Sequence, residues 1–334
     1  MFKQQKIENP NYNSTLDPAQ GRTPARLTLL LKTVLVPMDP SKPYAPFHPG
    51  PQARLNFTFS PHLAEHLGAA RRGLVRDSAG IAFRARSWTR KEFDEYRIRF
   101  KQAVERIWND QIILLPPEKK EDGLSDEDYM ALVSNPSLPP HVVGSLELLM
   151  LPIQTDTHAA IQVVRLDRKE EPLGRRLKPL AAPGEGDFGS YAWMMTNEDI
   201  FRIDNSDYRF QGSSFTQVPA AHEIGHWLGP PVPRTSPDRY VPHIDREVCS
   251  TTPGYALDGD CEYGHGPSTR KAIMGVGSMV TEYDAKPWLV RIRRHTGALE
   301  GWRLMHRVLF RQHPPPPTAR QKALAAAASA RKAA

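Results

Sequence analysis

Histidine 222, glutamate 223 and histidine 226 stand in the run AAHEIGHWLG, residues 220–229. Four residues separate the histidines, so on a helix both project from one face. Two neutral imidazoles at that spacing can hold one zinc ion at about 2.0–2.1 Å each. Glu223 then stands beside the metal, where it can take a proton from a water whose pKa the ion lowers toward about 7. The implied chemistry is zinc-assisted hydrolysis of a peptide bond, with His222 and His226 as ligands and Glu223 as general base. The plain alternative is an exposed helix with two unrelated histidines, because HExxH arises by chance in a chain with 12 histidines. Gly225, Trp227 and Gly229 extend the match beyond five residues.

A catalytic zinc site takes three protein ligands and leaves one position for water. The segment resembles the metzincin metallopeptidases, whose longer pattern is HExxHxxGxxH. It agrees through Gly229 and departs at the third histidine, where Val232 stands. Residues 262–280 (EYGHGPSTRKAIMGVGSMV) supply His265, and Met274 follows it nine residues later. Metzincins carry a methionine-bearing turn beneath the metal at such a distance. The resemblance therefore implies His265 as third ligand and Met274 as the turn methionine, with about thirty residues inserted after Gly229. Val276 occupies the place where some members carry tyrosine. A solvated His265 and an ordinary core methionine are the plain alternatives. Asp260 is the rival third ligand, since Asp260, Tyr263 and Gly264 match the DxxYG core of aspzincins, although Leu257 and Asp258 replace its Gly-Thr. His243, Glu247 and Glu262 are further rivals. Nearness in sequence alone suggests Tyr263 or Tyr283 at the oxyanion.

Elements must position these groups. Pro219 falls in the first turn of the motif helix, and Gly229 with Pro230 and Pro231 stops it. Residues 89–110 (TRKEFDEYRIRFKQAVERIWND) repeat apolar side chains at helical spacing, with Thr89 and Glu92 as a capping box. Residues 27–36, 54–59, 112–115, 146–153, 159–166 and 191–195 read as strands, with 146–153 and 159–166 as partners. Residues 284–295 read as a helix capped by Asp284, with Arg291, Arg293, Arg294 and His295 as a solvated face. The six prolines of 37–51 require an extended connector. Residues 118–141 and 172–189 read as loops, and 1–25 as a loose polar arm.

These readings, with the resemblance, imply an α+β, zincin-like fold: a mixed twisted sheet, an active-site helix and a smaller irregular C-terminal half. Residues 1–50 would be an extended arm with one strand, and 51–229 an upper subdomain carrying the motif helix. Residues 230–312 would hold the insertion, third ligand, methionine turn and last helix, and 313–334 a flexible, disordered or weakly helical tail. Cys249 and Cys261 could staple the insertion, or with His243 hold a second metal, although their spacing fits no zinc-finger pattern. Substrate would be a protein or peptide, lying extended along the sheet edge near 191–195.

Composition bounds the rest. A chain of 334 residues with 40% apolar residues can bury a sizeable core. Proline, at 32 residues, is about twice its usual share, which implies long irregular connections. A formal charge of +7 reads as solubility, because no nucleic-acid-binding module accompanies it. No apolar run reaches a membrane span, and residues 1–10 lack a secretory signal. The expectation is a cytoplasmic protein, or one exported by a route needing no such signal, with oligomeric state open. Three other functions stand beside the peptidase: an inactive zincin-like protein-binding module, a peptidase toxin delivered into another cell, and a basic nucleic-acid binder with a fortuitous HExxH.

Overall fold

The computed structural model describes residues 5–8, 12–38, 74–76, 82–133, 138–152, 157–166, 192–204, 216–228, 272–274, 277–281 and 284–333. Its strands are β1 (Gln5–Ile7), β2 (Asn13–Asp17), β3 (Ala25–Pro37), β4 (Leu74–Arg76), β5 (Ala82–Arg86), β6 (Ile112–Leu115), β7 (Val142–Leu151), β8 (Ala159–Leu166), β9 (Ala192–Thr196), β10 (Ile203–Asp204), β11 (Thr216–Gln217) and β12 (Arg303–His306). Its helices are α1 (Arg90–Trp108), α2 (Asp126–Met130), α3 (Pro219–Leu228), α4 (Lys286–Thr296), α5 (Arg307–Gln312) and α6 (Ala319–Ala333). The chain is α+β with a mixed sheet, and no described helix is long and apolar enough to cross a membrane. Two compact units divide it. One comprises Met1–Leu30, Ile107–Glu147 and Met279–Ala334; the other comprises Leu31–Arg106 and Leu148–Ser278.

The unit with the chain ends is built from antiparallel pairs. β1 pairs with β2, and β2 with the first part of β3, from Asn13↔Leu30 to Asp17↔Arg26. In β3 Ala25, Leu27 and Leu29 are buried while their neighbours are partly exposed, the period-two pattern of a strand with one face on the core. β12 pairs with β6, and β6 with the start of β7. Ile113, Leu115, Val143 and Phe310 form a small cluster there. α4 lays Trp288 against this framework: its indole Nε1 donates to the Ser145 carbonyl at 2.9 Å, and its ring stacks on Trp108 at 5.8 Å. Gly297 closes α4 in the left-handed region, φ 70°, where its N–H reaches the Arg293 carbonyl.

The other unit carries the mixed pairing. β8 runs parallel to the later part of β3 and to β9, and antiparallel to β5, which pairs antiparallel with β4. α1 has the expected capping box: Glu92 N donates to Thr89 Oγ1, and Thr89 N donates back to Glu92 Oε2. Tyr96, Phe100 and Val104 are buried on its apolar face. Its charged face is used as well, since Lys101 Nζ donates to the Leu148 carbonyl and Leu148 N donates to Glu105 Oε1.

Several local expectations change. The first residues are not a loose arm, because β1 and β2 form there and bury Tyr12, Asn13, Ser14 and Leu16. β7 and β8 are not partners; β3 hydrogen-bonds to both. The acidic stretch expected as a loop contains α2, capped by Ser125 Oγ on Asp128 N. The N-cap position of α4 is Ala285 rather than Asp284, whose carboxylate accepts from Thr281 N and Oγ1. Arg291 and His295 are buried rather than solvated, at 2% and 5% exposure. The C-terminal residues form helix α6, where Arg320 donates to the Leu124 carbonyl and Asp126 and lies over the Tyr129 ring. Of the connector expected at 37–51, Pro37 instead ends β3, paired with Val163, and residues 39–51 lie outside the described residues, as do the strand expected at 54–59 and the loop at 172–189.

Candidate metal-binding and catalytic site

α3 is buried almost all round. Ala220, Ala221, Ile224, Trp227 and Leu228 are core residues, and His222 and Glu223 are 4% and 5% exposed. Its start is well satisfied. Pro219 has no N–H to leave orphaned, Ala220 N donates to the Asp199 carbonyl at 2.9 Å, and Ala221 N and His222 N both donate to the Val218 carbonyl. Two ionisable side chains inside such a helix carry a large desolvation cost, which makes them functional candidates on physical grounds.

The proton on His222 can be located from its neighbours. Nδ1 lies 2.6 Å from the Ile273 carbonyl oxygen. That oxygen can only accept, so Nδ1 must carry the hydrogen and Nε2 the lone pair. This is the tautomer a metal-binding histidine needs when its outer nitrogen is oriented by a backbone carbonyl. Burial lowers the His222 pKa to about 4, partly opposed by the Ile273 carbonyl, so the ring is neutral at neutral pH. Ile273 adjoins Met274, itself buried. Met274 is thus next in the chain to the carbonyl that meets His222.

Glu223 is raised well above the usual carboxylate range, first by burial and then by the charge of Asp199. Asp199 is 4% exposed and its own pKa is pushed up to about 7 by burial, partly offset by hydrogen bonds from Thr196. It sits in the turn after β9, where its Oδ2 accepts from Thr196 N at 2.7 Å. Tyr96 donates its hydroxyl to the Thr196 carbonyl, tying that turn to α1. Gln217, 7% exposed at the end of β11, places Nε2 3.2 Å from the Ile273 carbonyl and 2.9 Å from His222 Nδ1. Neither Asp199 nor Gln217 is marked in the sequence: an aspartate in Asn-Glu-Asp reads as a solvated turn, and a glutamine before a helix carries no spacing signal.

His226 follows His222 by one turn of α3. The third-ligand candidates His265 and Asp260 lie outside the described residues, as do His243, Glu247, Glu262, Tyr263, Tyr283, Cys249 and Cys261. Among the described residues no group of three His, Cys, Asp or Glu is assembled around a metal position. What is described fits a zinc site: a neutral histidine with its lone pair on Nε2, followed by a buried carboxyl. Comparison with family models, curated proteins and solved structures finds no match.

Proposed function

We propose that the chain is a zinc-dependent metallopeptidase of zincin-like fold, with His222 and His226 as ligands and His265 as the third. The observation that carries this reading is the 2.6 Å contact between His222 Nδ1 and the carbonyl next to Met274, which can only accept and so draws the proton onto Nδ1. That tautomer leaves the lone pair on Nε2, as a zinc ligand requires. The bound ion supplies Lewis acidity at the scissile carbonyl and a positive charge that favours the ionised form of a nearby carboxyl. Glu223 takes the proton of the attacking water and delivers it to the leaving amine nitrogen. Its burial keeps bulk water from competing for that proton. Asp199 holds the start of α3 through its carbonyl and adds negative charge near Glu223, favouring the protonated form from which Glu223 acts as acid. The substrate is an extended peptide. It is placed along β9, which pairs with β8, in the extended form that adds to a sheet.

The test is zinc content together with turnover. The parent should bind one zinc, His265→Ala should lose it, and Asp260→Ala should keep it. Loss with Asp260→Ala instead moves the third ligand there. Glu223→Gln should bind zinc normally and cleave peptides about 100- to 10,000-fold more slowly. A parent that binds no zinc after reconstitution sinks the proposal. Zinc binding with no Glu223-dependent cleavage leaves a binding module.

A further inference from the structure

Two side chains converge on one backbone oxygen beside α3. The Ile273 carbonyl receives His222 Nδ1 at 2.6 Å and Gln217 Nε2 at 3.2 Å, while the two nitrogens lie 2.9 Å apart. Their chemistry leaves few arrangements. A carbonyl offers two lone pairs and no proton, so both nitrogens can donate to it. Turning the Gln217 amide over would set its oxygen against the Ile273 oxygen, acceptor to acceptor. The amide therefore presents its NH2 group, with the hydrogen positions following from the network.

An NH2 group beside an imidazole nitrogen has a second option. It could donate to Nδ1, which would move the histidine proton to Nε2 and withdraw the metal-binding lone pair. That option is closed only while the Ile273 carbonyl stays against Nδ1, because a bare Nδ1 at 2.6 Å would face the oxygen lone pairs. Gln217 donates to that carbonyl and thereby holds it in place. It reaches there from β11, whose Ile203↔Gln217 pairing fixes its backbone immediately ahead of α3.

We infer that Gln217 is a positioning residue: it clamps the Ile273 carbonyl against His222 and so keeps the imidazole in the tautomer that binds metal through Nε2. The inference rests on the zinc reading for its purpose, but the clamp itself is a property of the metal-free chain. Gln217 acts through His222 and Ile273.

The experiment reads the tautomer directly, by nitrogen NMR of imidazole-labelled, metal-free protein, and zinc affinity by competition with a chromophoric chelator. In the parent the His222 proton should reside on Nδ1. Gln217→Met keeps the bulk and removes the donor; it should populate the Nε2–H tautomer and weaken zinc binding about 10- to 100-fold. Gln217→Glu offers a carboxylate that accepts the Nδ1 proton itself, and should keep one tautomer with affinity within a few-fold of the parent. A merely space-filling role gives the reverse order, with Met tolerated and the buried Glu damaging, and that result overturns the inference. So does a folded Gln217→Met protein with unchanged tautomer and unchanged affinity. If circular dichroism shows that Gln217→Met does not fold, Gln217→Asn takes its place. That side chain is one methylene too short to span both partners, so it should shift the tautomer and weaken zinc binding in the same way, and unchanged values overturn the inference. A parent that binds no zinc removes the peptidase reading while the tautomer measurement still decides this one.

Discussion

Acid should destabilise this protein through His295 in a way that one substitution can isolate. His295 lies on α4 at 5% exposure, with Nε2 2.9 Å from Ser14 Oγ on β2 and Nδ1 without a partner among the described residues. The charged ring would need two acceptors and has one. The Arg291 guanidinium, one turn earlier on α4 and 4.5 Å over the Tyr12 ring, adds like charge. Burial first, and Arg291 second, bring the pKa from 6.5 down to about 4. The folded pKa is thus below the unfolded one, so between those values the unfolded chain holds more protons. The stabilisation is complete above pH 6.5 and is lost as the pH falls toward about 4. A shift of about 2.5 units at about 1.36 kcal/mol each is worth about 3 kcal/mol. Urea denaturation across that range measures it: with a slope near 3 kcal/mol/M, the midpoint of the parent should fall by about 1 M more than that of His295→Gln. Gln keeps a polar contact to Ser14 and cannot titrate. His222, whose pKa shift has the same sign, is present in both proteins and cancels in the difference. Equal loss of stability in parent and variant between neutral pH and pH 4 would refute the reasoning.

Two further outcomes follow from packing and capping. Gly144→Ala should cost about 1–3 kcal/mol, because its Cβ would stand 3.0 Å from Trp288 Cδ1 and 3.3 Å from Nε1, and the indole is tethered to the Ser145 carbonyl; near-ultraviolet circular dichroism and thermal melting would register both effects. Thr89→Ala should cost about 1 kcal/mol by removing the Oγ1 acceptor at the start of α1, seen as a lower melting temperature with unchanged hydrogen exchange at the far end of the helix.

Helices α1 and α3 and strands β3, β6, β8 and β9 were legible because their signals are local. Phe93, Tyr96, Phe100 and Val104 recur at the helical period, Thr89 and Glu92 stand at capping distance, and residues 27–36 form a short apolar run. The helix carrying His222 and Glu223 was legible for the same reason, from Pro219 at its start and Gly229 with two prolines at its end. The polar N-terminal strands β1 and β2 were not, because a sequence as polar as theirs becomes a strand only when β3 supplies hydrogen-bonding partners. Composition misread Arg291 and His295 for a related reason: a charged helix face reads as solvated unless Tyr12 and Ser14, nearly 300 residues away in the chain, cover it.

By itself, then, the sequence determined the helix that carries His222 and Glu223, the residues on which the zinc proposal rests. Only the tertiary structure decided the protonation of that chemistry. Asp199 reaches the start of α3 from the turn after β9, and Ile273 and Gln217 meet His222 across 51 and 5 residues. A histidine's tautomer and a carboxylate's pKa depend on which dipoles and charges lie within a few ångströms and on the water displaced to bring them there, and the fold alone sets both.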